Sequence, residues 1–458
     1  MVGSPAVDGS GSDGLFAGVF ARGGAAAEVD GRAWLQGMLD FEAALARASE
    51  RAGVGLPAGA AAAIAAECRA ERFDVAQIGR DAAASGNPAV PVVRALAGRL
   101  PWEAAAYVHL GATSQDAIDT AAMLVARRAL GPILDDLAGA AAACAAHAAA
   151  HRDTVAAGRT LLQQALPVTF GLKAAGWLRG LDEARRALAG VRDRVPAVQL
   201  GGAVGTLASL GADGLAVAAD MAAQLELAEP VMPWHADRTR PATLACALGV
   251  TAGALAKVAR DVTLLAQTEV AEAVEGGAGG GSSTMPHKRN PVAAVATLAC
   301  AERVPALVAT MLAAMAHEHE RAAGAWHAEW ETLSELLRLV GSAAAWLRDC
   351  VERLRPDPER MRANLDITDG LLMAESVSTR LVPALGRLEA HDVVEQACRR
   401  AVGEGRPLRA VLADTQAVTE HLDAATLDAA LAPEHYLGVA AALVDRALAA
   451  HRDAGAAA

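Results

Sequence analysis

From Pro241 to about Glu275 the chain contains no further proline, and Leu244, Leu248, Leu255, Val258, Val262 and Leu265 recur at spacings of three, four or seven residues. An apolar stripe this narrow is the seam of a helix bundle, not the broad face of a helix lying on a sheet. Pro241 suits a first helical turn, where its missing N–H is not needed. A helix of this extent would be roughly 50 Å long at 1.5 Å per residue. That is too long to bury within one small domain, so the seam predicts a bundle shared between subunits. A second long helix is expected from about Pro291 to Glu320, kinked at Pro305. Further bundle helices are expected at 121–152, 166–194 and 333–354. Alanine dominates the 53% of apolar residues and aromatic side chains make up only 3%. A core of Ala, Leu and Val lets helices approach closely, and alanine is the strongest helix former. No strand-length alternation of apolar and polar residues stands out. The expected class is all-α.

The 458 residues allow more than one domain. Residues 1–14 are rich in Gly and Ser and lack the charged and apolar regions of a signal peptide, so a disordered tail is expected. Residues 15–105 read as short helices broken at Gly53–Pro57 and Ser85–Pro91, with Trp34–Ala48 amphipathic. Residues 106–354 form the expected long-helix domain. Arg355-Pro356-Asp357-Pro358 stops it, and a smaller helical domain is expected over 355–458. A net charge of −12 argues against nucleic acid as a partner, because phosphate binding needs basic surface. Alanine-rich runs such as Ala140–Ala150 are interrupted by His and Cys, so no membrane span is expected. The six cysteines include no C-x-x-C pair, which fits reduced thiols and a cytoplasmic location.

Lysine and asparagine are scarce: there are three of each, Lys173, Lys257 and Lys288, and Asn87, Asn290 and Asn364. Yet Lys288 and Asn290 sit two residues apart, in a segment that begins Glu275-Gly276-Gly277-Ala278-Gly279-Gly280-Gly281 and continues through Ser282, Ser283 and Thr284. Clustering of rare residue types in one loop points to a chemical need for an ammonium and a carboxamide, since Lys and Arg are not interchangeable at a tight site. So many glycines cannot pack a core; they make a mobile segment of the kind that closes over substrates. A serine hydroxyl is a poor base unless its alkoxide is stabilised, and a nearby ammonium with backbone N–H groups can do that. The other readings are a flexible linker and a phosphate loop. A linker has no use for Met285, Pro286, Lys288 and Asn290, and the Lys does not follow the second glycine as a phosphate loop requires.

The run Gly281-Ser282-Ser283-Thr284-Met285-Pro286-His287-Lys288-Arg289-Asn290-Pro291 resembles the signature loop of the fumarase/aspartase superfamily. Two other blocks match in order: Tyr107-Val108-His109-Leu110-Gly111-Ala112-Thr113-Ser114-Gln115-Asp116, and Gly158-Arg159-Thr160-Leu161-Leu162-Gln163-Gln164-Ala165. Leu35–Glu42, Pro233-Trp234-His235, Glu318–Arg321, Trp326–Thr332 and Glu434–Gly438 narrow the likeness to the superfamily's cycloisomerase branch, over about residues 15 to 450. The resemblance implies a three-domain, nearly all-α fold with a central bundle of long helices. It also implies a homotetramer whose active sites each collect the three blocks from different subunits, and no metal or organic cofactor. Ser282 would be the catalytic serine, acting with Lys288. Asn290, Met285, Gln163, Thr113, Ser114 and His109 would bind a small polycarboxylate substrate.

One departure carries information. Fumarases and adenylosuccinate or argininosuccinate lyases place His directly after the Thr of the second block, where this chain has Leu161. Leucine transfers no proton, which weakens those lyases and favours a cycloisomerase lactonising 3-carboxymuconate, a branch that also lacks this His. The alternative is a β-elimination lyase releasing fumarate from a substituted succinate. A third class, a non-catalytic structural member like the superfamily's lens crystallins, is disfavoured by the intact Ser282, Lys288 and Asn290. His109 reads either as a ligand-facing donor or as a core histidine. Arg238, Arg240 and Arg321 are candidate cations for a tricarboxylate, the first two balanced against ordinary surface arginines. His317 and His319 lie two residues apart and would not share a helix face, so no metal site is expected there.

Overall fold

The computed structural model describes residues 14–277, 280–281, 284–285 and 287–456. The tail expected over 1–14 lies outside them except for Gly14. The helix Gly31–Ala52 shows how local signals set an element. Asp30 caps its start by accepting from the Ala33 N–H at 2.8 Å, and Gly53, at φ +78°, ends it. Its buried stripe includes Leu35, Met38, Leu39, Phe41 and Leu45, and also one charged residue, Glu42. A carboxyl group on a buried apolar stripe needs a partner.

The long helices are Ser114–Ala150, Phe170–Arg194, Thr239–Leu265 and Ala325–Glu352. Every residue of the predicted seam, Leu244, Leu248, Leu255, Val258, Val262 and Leu265, is buried. The third helix is shorter than expected, 27 residues and so about 40 Å. It stops at Leu265; further on, Ala273–Glu275 is extended and pairs antiparallel with Leu354–Pro356, so the backbone groups of that stretch bond across a ladder. The expected helix from Pro291 to Glu320 is two helices, Val292–Ala301 and Val304–Ala313. Pro305 stands in the first turn of the second, where it starts a helix instead of kinking one. Residues 315–324 then form a loop with His319 at φ +47°.

A β-hairpin was not anticipated. Val155–Thr160 pairs antiparallel with Gln163–Thr169, with a register shift between Ala157 and Arg159. The loop is the dipeptide Leu161-Leu162, both with positive φ (51° and 66°) and exposed at 96% and 73%. That backbone normally selects Asn-Gly. Two leucines held there cost about 1–2 kcal/mol each.

The chain divides into two compact units: the described residues of Met1–Gly139, Glu183–Ala259 and Ala293–Arg348, and those of Ala140–Asp182, Arg260–Val292 and Asp349–Ala458. In the first, Leu39, Phe41, Leu45, Ile64, Leu96 and Val217 belong to one apolar cluster. In the second, Val377, Leu381, Val394, Leu408, Val411 and Val418 form the core of the C-terminal helices. Glu272 is fully buried there and satisfied by a two-pronged contact from Arg159 (2.6 and 2.9 Å) and by Asn364 at 2.8 Å. Three stretches, Ser114–Ala150, Thr239–Leu265 and Val292–Ala313, are long and apolar enough to cross a membrane by length and composition, and 44–50% of each apolar window is buried within the chain's own fold. The cysteines are free, and burial pushes the Cys68 and Cys144 thiols up to about 12, which makes both poor nucleophiles.

Candidate active site

In the first unit, the block Tyr107–Asp116 is a tight loop feeding the helix Ser114–Ala150. His109 and Gly111 both take positive φ, and a side chain at Gly111 would collide with Leu210 at 2.5 Å. Asp116 holds the loop from beneath. Its carboxylate accepts from the Thr113 N–H at 2.9 Å and from the Gly201 and Gly202 N–H groups at 3.0 Å each. His235 Nε2 lies 2.6 Å from Oδ1, the oxygen that also accepts from Gly201. Thr113 and Ser114 are thereby fixed at the N-terminus of a 37-residue helix. Neither hydroxyl has a hydrogen-bond partner among the described residues. Two such hydroxyls beside the positive end of a long helix make a candidate receptor for a carboxylate.

Arg321 stands at this receptor. Its guanidinium donates to Gln115 Oε1 at 3.0 Å and to the Ala203 carbonyl at 2.7 Å, and it is only half-buried. His109 Nδ1 lies 2.6 Å from Glu42 Oε1. Burial alone would lower the His109 imidazole, but the charge and hydrogen bond of Glu42, with Asp116 adding to them, raise it above its ordinary value. The cation therefore persists to higher pH than in a free histidine.

Arg238 is in a different place from the one its sequence context suggested. It is buried, and its guanidinium is shared between Asp119 (2.8 and 2.9 Å) and Glu329 (2.6 and 3.0 Å) while lying over the Trp234 ring. A guanidinium already spanning two carboxylates has little left for a substrate. Its physical role is to hold together the ground beneath the receptor: Asp119 also accepts from Trp326, Gln199 and Gln115. Burial favours a neutral Asp119, yet Arg238 outweighs it and holds the carboxyl below its usual range, whereas in Glu329 burial wins and the shift is upward. Arg240 donates to the Val195 carbonyl at 2.8 Å and lines a cleft of about 400 Å³ with His235, Asp237, His319 and Glu320.

The remaining predicted residues lie in the second unit. Gln163 pairs with Thr160 at the hairpin turn, and its side chain is exposed. In the Gly-rich loop, Gly281 bridges Arg289 and the Asn290 N–H donates to the Gly280 carbonyl at 2.9 Å. Lys288 and Met285 are exposed and Asn290 is partly so. The Lys288 ammonium has no partner among the described residues. Ser282 lies outside the described residues, as do Ser283 and Pro286. Gly280 has φ +86°, and a Cβ there would sit 2.4 Å from the Asn290 carbonyl. Gly280→Ala is expected to displace Asn290 and Lys288 and lower kcat/KM by at least tenfold, since a misplacement of about 1 Å can cost about a hundredfold. The melting temperature should stay within a degree or two, because the loop buries little; a steady-state assay beside a thermal melt checks both.

Sequence reasoning missed Glu42, Asp116, Asp119, His235 and Glu329 as supports of the receptor. Glu42 alone left a usable signal, a carboxylate on the apolar stripe of its helix.

The pattern of the Lyase family matches residues 25–306, and that of the adenylosuccinate lyase C-terminus matches 370–447. A 3-carboxy-cis,cis-muconate cycloisomerase of Pseudomonas aeruginosa is 51% identical over 446 residues, 96% of this chain and 97% of that protein. A nitrosuccinate lyase of Streptomyces davaonensis is 45% identical over 92% of this chain and 91% of its own length. The crystal structure of a 3-carboxy-cis,cis-muconate lactonizing enzyme from Pseudomonas putida superposes with a TM-score of 0.90 at 47% identity, covering 96% of this chain and 99% of that one.

Proposed function

The chain belongs to the fumarase/aspartase superfamily of lyases, and from that premise we propose that it is a 3-carboxy-cis,cis-muconate cycloisomerase forming 4-carboxymuconolactone in protocatechuate breakdown by the β-ketoadipate pathway. The observation that carries the reading is 51% identity to a named cycloisomerase over 96% of the chain. In the reaction a substrate carboxylate oxygen forms a C–O bond to the diene and a proton is added to the adjacent carbon. The sum is an isomerisation, so no water, oxidant or reductant is consumed. Thr113, Ser114 and the helix terminus receive one carboxylate, with Arg321 and His109 supplying positive charge. Lys288 and Asn290 stabilise the electron-rich intermediate, and Ser282 exchanges the proton.

Leu161 fits this chemistry. The nucleophile is a carboxylate, already ionised at neutral pH, and in the reverse direction it departs as the same stable anion. Neither direction needs a general acid at the leaving oxygen. An adenylosuccinate-type reaction expels a nitrogen group that does need a proton. The second reading is a fumarate-releasing lyase whose leaving group departs as a stable anion; the likeness to a nitrosuccinate lyase favours it.

A spectrophotometric panel decides between them. Purified protein is expected to consume 3-carboxymuconate with no fumarate formed, and to leave adenylosuccinate untouched. Fumarate from nitrosuccinate, with 3-carboxymuconate unchanged, would establish the second reading; turnover of adenylosuccinate alone would overturn both.

The working form we propose is a cytoplasmic homotetramer with active sites shared between subunits. Long apolar helices of which about half is buried within one chain support it. Sedimentation should then give the mass of four copies of 46.6 kDa.

A further inference from the structure

Glu42 is the charged residue that the apolar stripe of helix Gly31–Ala52 has no packing reason to keep. It is almost completely buried, and its Oε1 lies 2.6 Å from His109 Nδ1. Its Oε2 is buried with no hydrogen-bond partner among the described residues. An orphaned carboxylate oxygen in the interior is destabilising, and costs of this kind are kept where a site needs them. His109 is itself held in the left-handed backbone region at φ +62°, with its ring 6.3 Å from that of Phe41. Its side chain is 17% exposed, and its Nε2 has no partner among the described residues.

We propose that Glu42 is a positioning residue for the reaction: its buried carboxylate locks His109 through Nδ1 and leaves Nε2–H as a charged donor for a substrate carboxylate beside Thr113 and Ser114. Glu42 touches no substrate; it acts through His109. The proposal rests on the cycloisomerase reading for the identity of the substrate. The groups acting on the imidazole are Glu42 from helix Gly31–Ala52 and Asp116 from helix Ser114–Ala150, both raising its proton affinity. Asp116 is hydrogen-bonded to His235, and Arg321 is held on Gln115 and Ala203. Substrate affinity is therefore present below the His109 pKa and is lost as pH rises through it.

The test is Glu42→Gln. Glutamine keeps an oxygen that can accept from Nδ1–H, so a purely structural tie survives while the charge is removed. The alkaline limb of kcat/KM for 3-carboxymuconate is expected to move at least one unit toward lower pH. Since one unit is a tenfold change in the charged fraction above the limb, KM at pH 8 should rise about tenfold and fall back toward wild type at pH 6. The kcat should change less than threefold. Glu42→Asp keeps the charge and lengthens the contact, so its limb should fall between the two; it also serves if the glutamine variant does not fold. In parallel, the His109 imidazole is titrated by NMR on protein labelled at histidine Cε1, with His109→Gln assigning the signal. If 3-carboxymuconate is not turned over, the functional reading fails while the imidazole titration still reports on Glu42. Superimposable titrations in wild type and the Glu42 variants would overturn the proposal. So would a shifted titration with an unmoved KM profile.

Discussion

Replacing Lys288 with Met is expected to lower kcat/KM for 3-carboxymuconate by about 10³-fold while leaving the unfolding midpoint unchanged. The magnitude is that of removing one preorganised donor from a developing negative charge. Stability should hold because the Lys288 side chain is exposed and makes no ion pair among the described residues. Lys288→Arg should recover less than a tenth of the activity. A planar guanidinium cannot take the place of a compact ammonium on a flexible stem, and a chain that uses lysine only three times has kept one here. Ser282→Ala is expected to fall in parallel, by about 10²–10⁴-fold, the range for loss of a positioned proton donor. The two together should cost little more than the worse of them, because in the proposed mechanism the serine works through the charge that the lysine supplies. Steady-state kinetics beside urea unfolding test each part. Full activity in Ser282→Ala would remove the serine from the chemistry.

Arg238→Ala should have the largest effect on stability, about 3–5 kcal/mol, because it leaves two buried carboxylates without their cation. Asp119 and Glu329 would then face each other across an emptied space and lose five hydrogen-bonding contacts within 3.2 Å. Arg238→Lys should recover part of this, since one ammonium cannot span both carboxylates in the same way. The pH dependence has a definite sign. Asp119 titrates below its unfolded value, so its contribution is present above that value and is lost as pH falls through the folded one. Removing Arg238 erases that depression, and the variant should show a flatter loss of stability toward acid. Denaturant titrations between pH 3 and 7 measure it. A variant within half a kcal/mol of wild type would mean that the network relaxes without its centre.

Much of this protein is written locally. The seam Leu244–Leu265 and the stop near Pro356 depend on residues close in sequence, and periodicity or a single side chain reports them. The candidate site was legible for a related reason. Ser282, Lys288 and Asn290 fall within one short stretch of sequence, Thr113 and Ser114 at one helix start, and rarity or motif spacing marks them without knowledge of the fold.

What the sequence could not reveal were pairings across long separations. Glu42 meets His109 67 positions away, and Arg238 meets Asp119 and Glu329 at 119 and 91 positions. No local pattern encodes such a pairing, so Arg238 reads as a surface cation until its partners surround it. The hairpin at 155–169 escaped notice because its turn is built from two leucines in a conformation that propensity assigns to Asn and Gly. By itself, then, the sequence determined the long helices and marked the candidate groups of the site, because periodicity and motif chemistry act over a few residues. Only the tertiary structure decided which charges are tied up in buried ion pairs and which are left open, because burial and ion pairing follow from packing between distant segments.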